Sequence, residues 1–476
     1  MPVIRDTSKR RSTQVEEPVV ENKRPKAPRK NNVSSIVSNN ASKESPVKKL
    51  LPSKKKVEKA AVKFPGRPEL PGGEVLSMGQ GDVGQLGLGP DVMEKGRPSL
   101  VPELSGVVEA CAGGMHTICL TQNGKVITFG CNDEGALGRE TSAEGSEFSP
   151  GTVSLEGKVV QVTAGDSHSA ALLEDGSVYA WGAFRDSSGT MGLRVVGQIE
   201  RLPVLFLGND HRSGGGIRLA SGADHLVILL RDGHILTCGC GEQGQLGRVS
   251  ERTANRNSRH GLAHLLSPLP VHLKLKVLFD EIWAGAYCTF AREKSKGEIY
   301  VFGLNNYSQL GHPHLKPIFH PVPAPTFSGN KWTQISGGQH HTLALDHMGV
   351  PYALGRKEYG RLGLGKDCQD ATSPTPISII ANKKTKWVAC GSSVSFAITE
   401  DGSVYSWGMG TNCQLGFGDD DSDVYEPKFI KSKQLEGKKA LSVSGGGQHA
   451  IILATASQLT SNAKTNSDNA GPSTEK

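Results

Sequence analysis

The 476-residue sequence has no long apolar run, and its longest ones fall well short of the roughly 20 residues that a bilayer span requires. Residues 1–11 also lack the apolar region of a secretory signal. We therefore expect an intracellular protein with no membrane partner. Aromatic residues make up only 5% of the chain, whereas glycine occurs 59 times. This balance is typical of a turn-rich globular fold.

Cysteine pairs at the spacing of a metal site are also missing. The nine cysteines are scattered along the chain, and their number is odd. Cys238 and Cys240 form the closest pair, but no second pair of cysteines or histidines completes a tetrahedral zinc site. We therefore expect structural thiols and no bound metal.

Charge is distributed unevenly between the two parts of the chain. Residues 1–70 hold 18 Lys/Arg against 7 Asp/Glu, a net charge of +11, which leaves −4 for the remainder. Because Pro, Ser, Asn and Lys dominate this segment, it cannot bury enough apolar surface to offset the entropy of ordering. We predict a disordered basic arm over 1–70, a folded body over 71–456 and a disordered polar tail over 457–476.

The densest basic cluster of the arm favours a nuclear import signal or a nucleic-acid contact over a tail that only improves solubility. It consists of Lys23, Arg24, Lys26, Arg29 and Lys30. We expect these residues to contact DNA and the protein to act in the nucleus.

The body is built from internal repeats with two markers. In one, a glycine ends a strand-like run and the glycine of a Leu-Gly pair follows eight residues later; copies begin at Gly79, Gly130, Gly239, Gly303, Gly355 and Gly408. The other is Gly-x-x-His or a relic of it, and it begins at Gly113, Gly165, Gly222, Gly285, Gly337, Gly391 and Gly446. Between the markers lie two apolar strands joined by dipeptides such as Asp175-Gly176, which favour a two-residue hairpin turn with positive φ at both positions.

Seven such units of about 50 residues predict an all-β, seven-bladed propeller. The repeat region opens with only the Leu-Gly marker at Gly79 and closes with only the Gly-x-x-His marker at Gly446. One blade would thus be completed by strands from both ends. Ring closure removes the exposed sheet edges that an open array must protect, which favours a propeller over a solenoid.

One copy breaks the spacing rule. From Gly182 to Gly192 the distance is ten residues rather than eight, and the enlarged loop carries Phe184, Arg185 and Asp186. A repeat protein that lengthens one loop in one copy is expected to use it for something the scaffold does not need. We interpret this loop as the working edge.

Two other interpretations of the repeats concern ligands. The glycine-rich stretches that begin at Gly79 and Gly239 fit a dinucleotide-binding fingerprint, but neither is followed by a helical pattern, so we expect no cofactor. One histidine per blade is expected to satisfy a local hydrogen bond rather than bind a metal. These histidines are His116, His168, His225, His340 and His449.

Several motifs resemble the family of the regulator of chromosome condensation, the guanine-nucleotide exchange factor of the small GTPase Ran. They are Gly79-Gln-Gly-Asp-Val-Gly-Gln-Leu-Gly87, Gly113-Gly-Met-His116, Gly165-Asp-Ser-His168 and Cys240-Gly-Glu-Gln-Gly-Gln-Leu-Gly-Arg248. The resemblance covers residues 72 to about 455. It implies a monomeric, chromosome-associated protein that releases GDP or GTP from a Ran-like GTPase, and hence a non-enzyme in the sense that no covalent bond changes.

The resemblance also implies roles for individual residues. The loop with Phe184, Arg185 and Asp186 would be a wedge that presses beside the phosphate loop of the GTPase, and Asp224 would contribute to nucleotide release. Docking of the GTPase is implied for Asp82, His116, Asp166, Arg248, His340 and His449. The family places an acid before a proline after the wedge, whereas Leu193-Arg-Val-Val-Gly197 has none.

The longest unit contains a loop over 249–281. By the resemblance, Arg256 and Arg259 of this loop dock onto the acidic patch of the histone surface, because arginine suits clusters of carboxylates. This would place the exchange factor on chromatin, in support of nucleocytoplasmic transport and mitotic chromosome organisation. Two alternatives stay open: the loop is packed by its own leucines, and the propeller is a non-catalytic scaffold for a protein partner in ubiquitin ligation or chromatin organisation.

Overall fold

The structure, a computed structural model, describes residues 72–456 except 258–260 and 274–275. Within these residues the repeats form seven four-stranded antiparallel sheets, the blades of the predicted propeller. Their helices are all too short or too polar to cross a membrane. The basic arm and the polar tail lie outside the described residues, so their disorder and the DNA contact of Lys23, Arg24, Lys26, Arg29 and Lys30 stay predictions.

The described part of the chain begins with two strands of a blade that is completed only at the other end of the repeat region, and blades 1 and 2 follow. The strands of this part are β1 (Gly73–Gln80), β2 (Glu94–Leu100), β3 (Val107–Ala112), β4 (His116–Thr121), β5 (Val126–Gly130), β6 (Gly151–Val153), β7 (Val159–Ala164), β8 (His168–Leu173), β9 (Val178–Gly182), β10 (Phe184–Asp186), β11 (Gly189–Gly192) and β12 (Glu200–Leu207). Blade 1 is β3 to β6, and blade 2 is β7, β8, β9 and β12. Strands β10 and β11 form a separate hairpin, inserted between the third and fourth strands of blade 2.

Blades 3 to 6 each take four consecutive strands. They are β13 (Gly216–Ser221), β14 (His225–Leu230), β15 (Ile235–Gly239), β16 (Leu269–Pro270), β17 (Phe279–Gly285), β18 (Cys288–Glu293), β19 (Ile299–Gly303), β20 (Ile318–Pro323), β21 (Trp332–Gly337), β22 (His341–Asp346), β23 (Pro351–Gly355), β24 (Ala371–Pro376), β25 (Thr385–Cys390), β26 (Val394–Thr399), β27 (Val404–Gly408) and β28 (Val424–Phe429). The helices are α1 (Gly261–Leu266) and α2 (Ser378–Ala381), with 3₁₀ turns at Ser146–Phe148, Glu251–Thr253, Pro325–Phe327, Glu358–Gly360 and Lys433–Leu435.

Blade 7 closes the ring as the markers predicted. It joins β29 (Ala440–Gly445) and β30 (His449–Thr455) to the two strands from the start of the repeat region. Strand β30 pairs with β1 from Gly73 opposite Thr455 to Gly79 opposite His449. The two ends of the repeat region therefore hold each other in one sheet.

Glycines of the Gly-x-x-His markers allow neighbouring blades to meet at the axis. Backbone hydrogen bonds cross each blade junction there, for example from the N–H of Gly114 to the oxygen of Gly165 at 3.0 Å. A Cβ at Gly113 would lie 2.5 Å from that same oxygen, which no other residue type tolerates without a shift. Close backbone approach thus requires glycine at these marker positions.

The hairpin turns differ from the expectation of a two-residue turn. Gly176 has a φ of 95°, but Asp175 does not share its left-handed conformation. The N–H of Leu173 donates to the oxygen of Ser177, so the loop has three residues, and the glycine takes the left-handed position after a type I turn. The Asp175 carboxylate accepts from the N–H of Ser177, which explains why this dipeptide also suits the longer loop.

Candidate protein-binding rim around the inserted hairpin

The inserted hairpin of blade 2 is the feature that distinguishes this blade from its sisters; we call residues 184–192 the wedge. Arg185 pairs with Thr190, and Ser187 and Ser188 form an exposed tip. Phe184 has no exposed surface, and its ring packs on that of His168 with the centroids 4.6 Å apart. The expectation that Phe184 touches a partner is therefore wrong, because its side chain anchors the base of the wedge in the core.

Two acids from the neighbouring blades hold the wedge in place. Glu134 accepts hydrogen bonds from the Arg185 guanidinium at 2.7 Å and from the Thr190 hydroxyl at 2.9 Å. Glu242 accepts from both the N–H and the hydroxyl of Ser187, at 3.1 and 2.6 Å. The sequence interpretation missed both acids. Their position in the sequence could have indicated them, since each lies in the Leu-Gly loop of a unit that flanks the lengthened one.

Asp224 also contacts the wedge. Its carboxylate accepts the backbone N–H of Arg185 at 2.8 Å. Burial, and after it the negative charge of Asp166, raise the pKa of Asp224 to about 7, while the N–H of Arg185 opposes them. This acid therefore sits near its titration point at physiological pH, as is typical of functional sites.

Asp166 lies at the mouth of the axial channel, one blade away from Asp224. Its backbone N–H donates to the oxygen of Ala223 at 2.7 Å, which fixes the loop across the blade junction. The side chain reaches solvent, but the many protein atoms around it partly desolvate the carboxylate, and this raises the pKa of Asp166. Together with Asp82, which is exposed in the Leu-Gly loop of blade 7, these acids line a rim suited to a basic partner surface.

The repeat histidines form a buried network between blades. In each pair the ring Nε2 of the histidine lies 2.8 to 3.1 Å from a hydroxyl; the pairs are His116–Ser169, His168–Ser221, His225–Thr289, His341–Ser395 and His449–Thr117. Four of these hydroxyls donate to a backbone oxygen, so the histidine Nε2–H is the donor to them. Burial lowers the pKa of all five histidines to about 3 to 4. The expectation of local hydrogen bonds is confirmed for His116, His168, His225 and His449.

The fifth repeat histidine is His341 and not, as the spacing suggested, His340. The marker of this unit begins at Gly338, one residue later than predicted, because two histidines follow each other. His340 instead lies half-buried near the surface, where its ring meets the edge of Tyr307 at 5.3 Å. Arg356 stacks over the same tyrosine at 4.7 Å. His340 thus belongs to an aromatic and arginine cluster that a partner can reach.

A family model for the RCC1-like domain matches residues 74–452. The chain belongs to the RCC1-like family. It is 52% identical over 388 residues to the regulator of chromosome condensation of Xenopus laevis, and the matched region covers 80% of this chain and 90% of that protein. It is 30% identical over 438 residues to the guanine nucleotide exchange factor SRM1 of Saccharomyces cerevisiae, with 79% of this chain and 86% of that one covered. The crystal structure of Prp20p from the same yeast matches with a TM-score of 0.73 at 30% identity and covers 81% of this chain and 92% of that chain.

Two residues that the RCC1-like resemblance assigned to docking lie where a partner cannot touch them. His116 and His449 are 1% and 0% exposed, so their expected direct contact with a GTPase is wrong and their place is in the histidine network. Asp166, Asp82 and His340 do reach the surface. Their docking role remains a prediction.

Arg248 of the RCC1-like repeat has a structural role that its sister residue shares. Its guanidinium donates to the backbone oxygens of Thr237, His264, Leu265 and Ser267. Burial lowers its pKa to about 10. Arg139, at the same repeat position in blade 1, donates in the same way to the oxygens of Thr128, Ser146 and Ser149. The prediction of a docking arginine is corrected accordingly: Arg248 holds a loop end.

The structure describes one of the two arginines implied for histone contact, Arg256. Arg256 forms an ion pair with Asp186 at 2.6 Å, and the Asp186 side chain is only 2% exposed. The Asp186 side chain is too buried to press on a GTPase, and that expectation is corrected. Arg256 keeps 29% of its side chain exposed, and its histone contact stays a prediction. Arg259 lies outside the described residues, and its histone contact stays a prediction.

Proposed function

We propose that this protein is a guanine-nucleotide exchange factor for a Ran-like small GTPase and that it acts through the wedge. The observation that carries the proposal is the inserted hairpin, which Glu134, Glu242 and Asp224 hold from three sides while Arg185, Ser187 and Ser188 face solvent. The relative in budding yeast is named a guanine nucleotide exchange factor, and Prp20p was studied for binding to Gsp1p. Both support the assignment.

The mechanism follows from linkage between two binding events. A partner that weakens nucleotide binding by some factor is itself bound less tightly, by the same factor, when nucleotide is present. The complex with the nucleotide-free GTPase is therefore the tight intermediate, and excess nucleotide releases the exchange factor. Because no bond forms or breaks, the chain needs no nucleophile and no cofactor.

The rim divides the work between its acids. Asp166 and Asp82 carry charge at the surface and would steer a basic partner face during encounter. Asp224 is tied to the wedge through Arg185, so its charge state would be felt where the wedge meets the nucleotide site. We infer that Asp224 acts on release and Asp166 on docking.

Chromatin attachment would come from segments outside the rim. The net charge of +11 in residues 1–70 suits DNA phosphates, and histones were among the ligands studied for Prp20p. We infer a nuclear, chromosome-associated monomer that contacts DNA through the arm and histones through the segment with Arg259. In that place it would support nucleocytoplasmic transport and mitotic chromosome organisation.

Release of labelled GDP from Ran tests the exchange function. With catalytic amounts of this protein and excess free nucleotide, release should accelerate many-fold over the intrinsic rate and show turnover. A scaffold of the same fold would leave release at the intrinsic rate while still capturing its partner. Binding without acceleration therefore rejects exchange and favours the scaffold.

A further inference from the structure

The long connection of blade 3 packs beneath the wedge. It runs from β15 to β16 and contains helix α1, whose Leu265 and Leu266 are fully buried. They share one apolar cluster with Phe184 and Met191 of the wedge. The leucines of this segment are thus used for packing against another blade, and the loop and the wedge form one structural unit.

Arg256 is the polar link between the long connection of blade 3 and the wedge. Its Nε donates to both carboxylate oxygens of Asp186, at 2.9 and 2.6 Å, and Nη2 donates to the backbone oxygens of Gly189 and Thr190, at 2.7 and 3.1 Å. One guanidinium therefore grips β10 through a side chain and β11 through its backbone. Charge-assisted bonds of this kind are stronger than neutral ones and fix geometry as well as distance.

The charges around the wedge explain why a cation is needed at this position. The Asp186 side chain is nearly buried, and the acids Asp224 and Glu242 lie in its surroundings. Without Arg256, the Asp186 carboxylate would be left desolvated beside other acids, a situation that strongly disfavours the observed arrangement. A short two-stranded hairpin is also marginal by itself and relies on its neighbours for order.

Resting on the exchange function proposed above, we propose that Arg256 is a positioning residue for the wedge. It acts on the partner through the wedge, by holding both strands at one angle to the rim, and it does not touch the partner itself. The segment that resembles a histone-docking loop is thereby also a brace of the working edge. Small displacements of a positioned group lower rates steeply, so loss of the brace should lower the exchange rate.

Arg256→Gln tests this with Arg252→Gln as the matched control. Arg252 is the same residue type, lies four positions earlier in the same loop and is exposed. In the free full-length protein, amide hydrogen exchange of residues 184–192 should become about tenfold faster in Arg256→Gln and stay unchanged in Arg252→Gln. Asp186→Asn should loosen the wedge less than Arg256→Gln, because it leaves the bonds from Arg256 Nη2 to the backbone oxygens of Gly189 and Thr190 in place. The double variant should be no worse than Arg256→Gln, because the Arg256–Asp186 pair is already lost there.

Exchange kinetics on Ran supply the second readout. Arg256→Gln should lower kcat about tenfold with little change in KM. The kcat of Arg256→Lys should lie between those of the wild type and Arg256→Gln, because lysine keeps the positive charge but lacks the planar, multiply donating guanidinium. Circular dichroism melting should show the ring folded in each variant. Equal wedge protection and equal kcat in Arg256→Gln and Arg252→Gln would overturn the proposal. If the wild-type protein does not accelerate nucleotide release, the exchange function fails, and hydrogen exchange alone still decides whether Arg256 braces the wedge.

Discussion

The carboxylate of Asp224 accepts the backbone N–H of Arg185 at 2.8 Å, across the junction between blades 3 and 2. The two residues are 39 positions apart in the chain. Since burial raises the pKa of Asp224 to about 7, the strength of this contact changes within the physiological pH range. An acid of one blade therefore helps to hold the inserted hairpin of its neighbour.

Replacing the wedge by a sister loop should abolish exchange and keep the fold. The residues between Gly182 and Gly192 would be exchanged for Cys240-Gly-Glu-Gln-Gly-Gln-Leu246, which closes the same turn in blade 3. Nucleotide release from Ran should fall about 100-fold or more, because positioning of the working edge is lost. Circular dichroism monitors the ring. A folded variant with full activity would show that the wedge is not the working edge.

Asp224 and Asp166 should differ in which kinetic constant they affect. Asp224→Ala removes both the charge and the acceptor for the Arg185 N–H, so it should lower kcat more than it changes KM. Asp166→Ala removes an exposed charge and should mainly raise KM. Asp224→Asn keeps an acceptor without the charge and separates the two effects. Identical steady-state profiles for the Asp166 and Asp224 variants would contradict this division.

Asp224 should also lower stability at neutral and alkaline pH. Its folded pKa of about 7 lies above the usual value of about 4, so between these values the folded protein holds the proton more tightly than the unfolded chain does. Stability from this group is therefore lost as pH rises through that window. Asp224→Asn should melt above the wild type at pH 8 and close to it at pH 4. A difference in melting temperature between Asp224→Asn and the wild type that stays the same at all pH values would contradict the raised pKa.

The histidine network should contribute measurably to stability. Thr289→Val leaves both the Nε2–H of His225 and the backbone oxygen of Gln245 without their buried partner. We expect a loss of about 2 to 4 kcal/mol in the free energy of unfolding. Thr342→Val is the matched control. The preceding blade has Cys288 where the others have the bonding histidine, so only the hydrogen bond from Thr342 to the backbone oxygen of Gln309 is lost. Chemical denaturation compares them, and equal losses would argue against the histidine contact.

Removing residues 1–65 should weaken chromatin association and leave exchange in solution intact. The deletion takes away a net charge of +11 but no residue of the rim. Because phosphate contacts release counterions, the difference in chromatin retention should shrink as salt rises. Sedimentation with chromatin at several salt concentrations measures it. Equal retention of both proteins at physiological salt would shift the attachment to the segment with Arg259.

Much of the fold could be predicted from the sequence, because each blade of a propeller repeats the same local sequence pattern. The Leu-Gly and Gly-x-x-His spacings report strand ends and close backbone approach, and they recur along the repeat region with few exceptions. The split markers at Gly79 and Gly446 predicted ring closure, which the pairing of β1 with β30 confirms. The departure from spacing at Gly182 located the wedge for the same reason, since an insertion stands out only against a regular background.

The assignment of individual side chains to surface or interior needed the tertiary structure. Two adjacent histidines give the same spacing pattern, and only packing decides that His341 enters the core while His340 remains near the surface. Arg256 and Asp186 are 70 residues apart and lie in the irregular parts of two blades, where no repeat relates them. Sequence by itself determined the blades, their number, their closure and the place of the insertion, because hydrogen-bonded strands impose a local periodicity. Only the tertiary structure decided which charged groups meet at the wedge, because contacts between insertions depend on how blades sit side by side and leave no period in the chain.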